Sequence, residues 1–131
     1  MTQPVVIPWP GGEHPFRLGI AELETLQQKT DCGPEWLLHR INTGQWAAID
    51  LIEVLRNGLI GGGMDHVAAL KSVRNAFDLH PLIGFKVPAQ TVLGACLYGP
   101  PDDTVGEPMP VNPTPAQNDE TGSGSSAPIT D

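Results

Sequence analysis

The sequence has few basic residues, few aromatic residues and no long apolar run. Its 131 residues include 7 Lys and Arg against 15 Asp and Glu, which gives a net charge of −8. Nucleic-acid binding needs clustered Lys and Arg, whereas here the basic residues are scattered from Arg17 to Lys86, so we expect no nucleic-acid partner. No stretch approaches the roughly 20 apolar residues of a membrane-spanning helix, so we expect no membrane association.

Cysteine is also scarce. Cys32 and Cys96 are too few for a disulfide framework, and we interpret them as reduced structural thiols, with a single bridge between them left as the alternative. The first residues, Met1–Pro4, lack the basic and apolar regions of a secretory signal. We therefore expect a cytoplasmic protein.

The negative charge is concentrated in the last quarter of the sequence. Residues 1–99 hold all seven basic and nine acidic side chains, a net charge of −2, whereas residues 100–131 hold six acidic and no basic side chains. That stretch also contains seven of the 14 prolines and no aromatic residue. Its small apolar surface does not offset a backbone entropy cost of about 1–2 kcal/mol per residue. We predict one folded domain over residues 1–99 and a disordered acidic tail over residues 100–131.

The start of the domain has the pattern of a β-hairpin. Apolar and polar residues alternate loosely along Val5–Trp9 and Glu13–Leu18, and Gly11-Gly12 supplies the backbone freedom of a tight turn. Pro8 and Pro15 cannot donate ladder hydrogen bonds, which restricts both segments to edge strands. Such a hairpin must pack on other elements to be stable.

From Ile20 onward the apolar spacing is helical. The pattern predicts five short helices, and we place Gly58 as the glycine that stops the third and residues 59–63 as a connector. The predicted fold is mainly α, with the N-terminal hairpin packed on this bundle. The predicted helices span 20–30, 34–44, 45–57, 65–78 and 88–98.

The same spacing predicts which side of each helix is buried. Ile20 in the first helix, and Val67 and Leu70 in the fourth, belong to predicted inward faces. In the third helix, polar residues repeat on one side, which we interpret as a solvated face. These are Asp50, Glu53 and Asn57.

The glycine run Gly61–Gly63 before a helix is the strongest candidate for a ligand site. Helix N-termini attract anions, but Met64-Asp65 follows in place of the Lys-Ser/Thr pair of a phosphate-binding loop, and Asp65 would repel phosphate. We interpret the run as a flexible turn between helices. A small ligand-binding or enzymatic domain that uses this turn is the weaker alternative.

No other pattern indicates catalysis or metal binding. The four histidines lack the close pairing of a zinc site, and Cys96 lies on the apolar side of its helix. Asp50 and Glu53 are neighbours on one helix but have no third group with which to form an acid–base site. We expect no enzyme, no cofactor and no metal.

Large apolar and aromatic residues are the remaining candidates for function. Tryptophan is enriched at interfaces, although we expect at least two of Trp9, Trp36 and Trp46 to lie in the core, with Trp46 the one that is partly exposed. As partner-binding candidates we select one residue set from the helices and the connector. The set comprises Trp36, Trp46, Leu59, Ile60 and Tyr98.

The order of these features resembles the small tail-assembly proteins of gene transfer agents and their tailed-phage relatives. The strongest matching segment is Asp50–Met64, which joins the end of the third helix to the glycine run. The resemblance covers about residues 5–99 and leaves the tail out. The other matching segments are the hairpin that leads into Leu18–Leu26, His80-Pro81-Leu82, Val87-Pro88-Ala89 and Leu93–Tyr98.

The resemblance implies a role in tail morphogenesis and provides no catalytic residue. It implies a tail assembly chaperone that covers the tape-measure protein in the host cytoplasm until tube subunits polymerise around it. The alternative is a minor tail component that stays in the particle, with the tail tube protein as a second partner and self-association as a further contact. Two physical arguments agree with a chaperone. Grooves between helices can hold an amphipathic helix, and one hairpin is too little β-structure for a tube subunit built on a β-sandwich.

Overall fold

A computed structural model of the chain describes residues 3–100, and these residues confirm the mainly α fold with an N-terminal hairpin. The tail predicted over residues 100–131 lies, apart from Pro100, outside the described residues. A short 3-10 turn, Leu82–Phe85, leads directly into the last helix. The strands are β1 (Val5–Trp9) and β2 (Gly12–Phe16), and the helices are α1 (Ile20–Thr30), α2 (Pro34–Asn42), α3 (Ala48–Gly61), α4 (His66–Leu79) and α5 (Lys86–Tyr98).

The hairpin is antiparallel and pairs Val5 with Phe16 and Trp9 with Gly12. The turn residues are therefore Pro10 and Gly11, and Gly12 has a φ of 128°, which favours glycine. One face carries the apolar side chains of Ile7, Trp9 and Phe16, all buried, and the opposite face is exposed. The alternation seen in the sequence is thus the alternation of the strands.

The hairpin is fixed to the helices by Trp9. Its ring packs edge-on against Phe16 and Phe85, with ring centroids 6.0 and 6.3 Å apart. Its indole Nε1 donates a hydrogen bond of 2.8 Å to Nδ1 of His14 on the facing strand. The buried indole is therefore satisfied within the hairpin.

Helix α3 lies at the centre of the domain. It packs against α1, α4, α5 and β2, so almost every side of it is covered. This position explains why its residues are the most completely buried of any element. Its fully buried apolar residues are Leu51, Val54, Leu55 and Leu59.

Two boundaries predicted for α3 are wrong. The helix begins at Ala48, not Gln45, because the Asp50 carboxylate accepts a hydrogen bond of 2.8 Å from the Ala47 backbone N–H and so caps the first turn. Gly58 does not stop the helix, which continues to Gly61. A Cβ at Gly58 would lie 2.8 Å from a ring carbon of Phe16, so this glycine makes room for the hairpin.

The predicted solvated face of α3 is also wrong. Asp50, Glu53 and Asn57 are 0%, 5% and 2% exposed. Their polar atoms are satisfied within the domain, since each carboxylate has its own arginine and the Asn57 side chain donates to the Glu53 backbone carbonyl at 2.8 Å. Paired charges are what make such burial tolerable.

The inward faces predicted for α1 and α4 need correction too. Ile20, Val67 and Leu70 are exposed by 64%, 60% and 41%. Helix α4 instead packs inward with Ala69, Val73 and Ala76, whose small side chains permit close approach to α3. Larger apolar residues are thereby left on the outside of both helices.

Candidate partner-binding surface

The glycine run, Gly61–Gly63, allows the hairpin to pack closely on the end of α3. A Cβ on Gly61 would overlap the backbone carbonyl of Arg17, and one on Gly62 would overlap that of Pro15. The Arg17 backbone N–H donates to the Gly58 carbonyl oxygen at 2.9 Å, which ties β2 to the end of α3. The first two glycines therefore allow backbone-to-backbone contact, and the interpretation as a freely flexible turn is wrong for them.

The two buried carboxylates of α3 have structural partners. Arg40 on α2 forms a bidentate ion pair with Asp50, with Nη2–Oδ1 and Nε–Oδ2 distances of 2.6 and 3.2 Å. The hydrogen bond with Asp50 raises the pKa of Arg40. One turn further along, Arg56 pairs with Glu53 at 2.6 Å. Each carboxylate is thus neutralised by its own arginine, which is the arrangement of a structural pair.

Other reactive groups are likewise dispersed. Within residues 3–100 no group of three or more His, Cys, Asp or Glu is placed to hold a metal ion. Both cysteines are free, and burial raises the pKa of the Cys96 thiol. Among the described residues no helix is long and apolar enough to cross a membrane.

The predicted partner-binding residues do not form one surface. Leu59 is fully buried in the core of α3, so it offers no contact surface, and Ile60 is half-buried beside it. Trp46 is half-buried before the start of α3, about 18 Å of helix away from Ile60. Only Trp36 and Tyr98, which are 57% and 75% exposed, present most of their side chains to solvent.

The expectation that two tryptophans lie in the core is wrong. Trp9 alone is buried, whereas Trp36 lies on the outside of α2 and its ring stacks on His39 with centroids 5.0 Å apart. Helix α2 buries Leu37 and Ile41 instead. An exposed tryptophan with one covered face is typical of a contact site.

An exposed apolar surface follows the outside of α5. We call it the α5 surface and define it by Ile83, Val87, Thr91, Gly94 and Tyr98, which recur at helical spacing from the 3-10 turn to the end of the helix. Ile83 and Val87 are 65% and 66% exposed. The opposite side of α5 is buried against α2, α3 and β1.

The α5 surface has an open, uncharged centre. A Cβ added at Gly94 would meet nothing within 4 Å, so the backbone is open to close approach by another chain. The Thr91 hydroxyl donates to the Val87 carbonyl at 2.9 Å and is satisfied within the helix. From Val87 to Pro100 the sequence contains no charged residue. Exposed helix faces normally carry charge, so this surface has the composition of an interface.

Sequence reasoning identified Tyr98 but missed Ile83 and Val87. Both residues lie between Pro81 and Pro88, before the start of the helix predicted over residues 88–98. The absence of charge from Val87 to Pro100 was the available signal for an interface. Together with the helical spacing, it would have distinguished this exposed side from a solvated one.

Comparison with known proteins was made for the whole sequence. A family model described as "Phage tail tube protein, GTA-gp10" matches residues 3–99, which comprise the hairpin and all five helices. No curated protein and no solved structure matches the chain. The match covers more than half of the sequence and agrees with the resemblance carried by the helix end and glycine run of α3. The chain therefore belongs to the GTA-gp10 family of phage tail tube proteins.

Proposed function

We propose that this protein is a non-enzymatic tail assembly chaperone that holds an amphipathic helix of the tape-measure protein on the α5 surface. Family membership assigns the protein to tail structure or tail morphogenesis. The observation that carries the finer proposal is the exposed, uncharged side of α5, from Ile83 to Tyr98. In this proposal the protein acts in the host cytoplasm before the tube polymerises.

The geometry of the α5 surface suits a helical ligand. Large apolar side chains stand at both ends, Val87 at one and Tyr98 at the other, and open space lies between them at Gly94. A partner helix can pack its own apolar side chains over Gly94, between Val87 and Tyr98, as helices pack side by side. A long tape-measure helix exposes such apolar stripes and aggregates unless they are covered.

A charge placed on the α5 surface is expected to abolish chaperone function without unfolding the domain. Val87→Glu puts a carboxylate in the contact, where it would be desolvated without a partner, and binding should weaken at least about tenfold. The experiment co-expresses the full chain with the tape-measure protein and measures its soluble yield and co-purification. Val87 is exposed and near a helix N-terminus, so the melting temperature should stay unchanged.

The matched control is Val6→Glu. Val6 is 62% exposed on the outer face of β1, so it receives the same substitution at similar exposure. It should leave co-purification intact. Equal behaviour of the two variants, or a tape-measure protein that is soluble without this chain, contradicts the proposal.

A tube-associated component of the particle is the second candidate. The family description, which names a tail tube protein, favours it. Within residues 3–100 the only sheet is the two-stranded hairpin, so a role of this kind would rest on helical contacts to the tube protein. Quantitative mass spectrometry of purified particles separates the two functions, because a chaperone is depleted from particles whereas a component is retained at a fixed copy number.

A further inference from the structure

Helices α1 and α4 each expose a row of three residues spaced by four. On α1 the row is Ile20, Glu24 and Gln28, and all three side chains are exposed. On α4 the row is Leu70, Arg74 and Asp78, which are exposed as well. Residues four apart form a ridge along one side of a helix.

The two rows are complementary in order. Each begins with an exposed apolar residue, Ile20 or Leu70, and places a charge of opposite sign one turn later, Glu24 or Arg74. The third positions, Gln28 and Asp78, can share an amide-to-carboxylate hydrogen bond. With the helices side by side in the same direction, every position meets a suitable partner.

The charges in these rows are not used inside the domain. The ion pairs among residues 3–100 involve Arg40 and Arg56, and neither Glu24 nor Arg74 has a hydrogen-bonding or ionic partner there. Arg74 lies beside Lys71 on the same helix, a like-charged neighbour that weakens an isolated helix slightly. A basic pair of this kind gains from an external carboxylate.

The α4 row belongs to a wide, open patch on the outer side of α4. Leu70, Arg74 and Asp78 contribute to this patch, together with Lys71, Ser72 and Asn75. All of these residues lie on α4 itself, and the patch is open to solvent, so the side of another helix can approach the row.

We propose that a second copy of this chain packs on this face of α4, with its α1 row against the α4 row of the first copy. Glu24 of one copy pairs with Arg74 of the next, and Ile20 packs on Leu70. Because unlike surfaces meet, each copy keeps a free α1 row and a free α4 row, and the contact propagates into a ring or an open chain. This self-association is separate from the α5 surface and does not rest on the proposed function.

Charge reversal tests the contact. Analytical ultracentrifugation of the full chain at low salt measures association of the wild type, Arg74→Glu, Glu24→Arg and the double variant. We expect each single reversal to weaken association at least about tenfold, and the double variant to restore it because the ion pair is re-formed with opposite orientation. Association of the wild type should weaken as salt is added.

Matched reversals at other sites serve as controls. Lys86→Glu on α5 and Glu35→Arg on α2 change the net charge equally and lie off both rows, so they should leave association unchanged. A wild-type chain that stays monomeric, or a double variant that fails to recover, overturns the proposal. So does loss of tape-measure co-purification without loss of association in Arg74→Glu, which would assign the α4 row to that partner. Val87→Glu should still associate, which separates this test from that of the α5 surface.

Discussion

Replacement of Arg40 by methionine is expected to destabilise the fold by about 3–5 kcal/mol. Methionine fills similar space but leaves the fully buried Asp50 carboxylate without its cation, and removal of one partner of a buried pair is costly. Arg40 also donates to the Thr30 backbone carbonyl at 3.4 Å, so the substitution loosens the junction of α1, α2 and α3. A loss of this size is a large part of the total free energy of unfolding of a small domain.

Urea unfolding followed by circular dichroism measures this effect. Lys29→Met is the matched control, because Lys29 is exposed on α1 and its replacement should change stability by no more than about 0.5 kcal/mol. The double variant Arg40→Met with Asp50→Leu removes both charges and should recover much of the loss. Equal stability of the Arg40→Met and Lys29→Met variants would show that the pair contributes nothing.

Gly61→Ala should cost about 3 kcal/mol or more, although alanine is the better helix former. The added methyl group would overlap the backbone carbonyl of Arg17. A backbone carbonyl cannot rotate away as a flexible side chain can, so β2 must move away from α3. The docking hydrogen bond from the Arg17 N–H to the Gly58 carbonyl should weaken with it. Two-dimensional NMR of the Trp9 indole, together with urea unfolding, reports both displacement and stability.

Gly94→Ala is the matched helical control, and its effect on stability should have the opposite sign. Nothing lies within 4 Å of the new methyl group, so the helix-propensity gain of roughly 0.5–1 kcal/mol appears as added stability. If the two glycine variants have equal stabilities, the close contact at Gly61 does not hold the hairpin.

The hairpin and the existence of the five helices could be predicted from the sequence because local rules determine them. Alternation, a turn glycine and two non-donating prolines identify the hairpin, and Pro34 begins α2 as expected. The end of α3 could not be predicted locally. Gly58 has the appearance of a stop signal, and only Phe16, more than 40 residues earlier, explains why the glycine lies inside a helix.

The burial of charged side chains could not be predicted from local sequence patterns either, because it too depends on residues that are distant in the sequence. A carboxylate such as Asp50 belongs on the wet side of a helix unless a partner from elsewhere neutralises it, and the partner Arg40 lies on a different helix. The exposure of apolar side chains was equally beyond local reasoning. Trp36 and Val87 are apolar residues that the periodicity does not distinguish from core, and only the packing of α2 and α5 shows which side is left open.

The docking of the hairpin on the helices also affects the order in which the elements fold during synthesis. An isolated two-stranded hairpin is marginal at best, and Trp9 depends on Phe85, which the ribosome adds 76 residues later. At about 5–20 residues per second, that interval is about 4–15 s. The hairpin precedes all five helices in the chain, yet it is among the last elements to be placed, and during that interval Trp9 and Phe16 lack their contacts with Phe85 and α3. Variants that slow the arrival or docking of α5 should lengthen this interval and lower the yield of folded protein before they change its final stability.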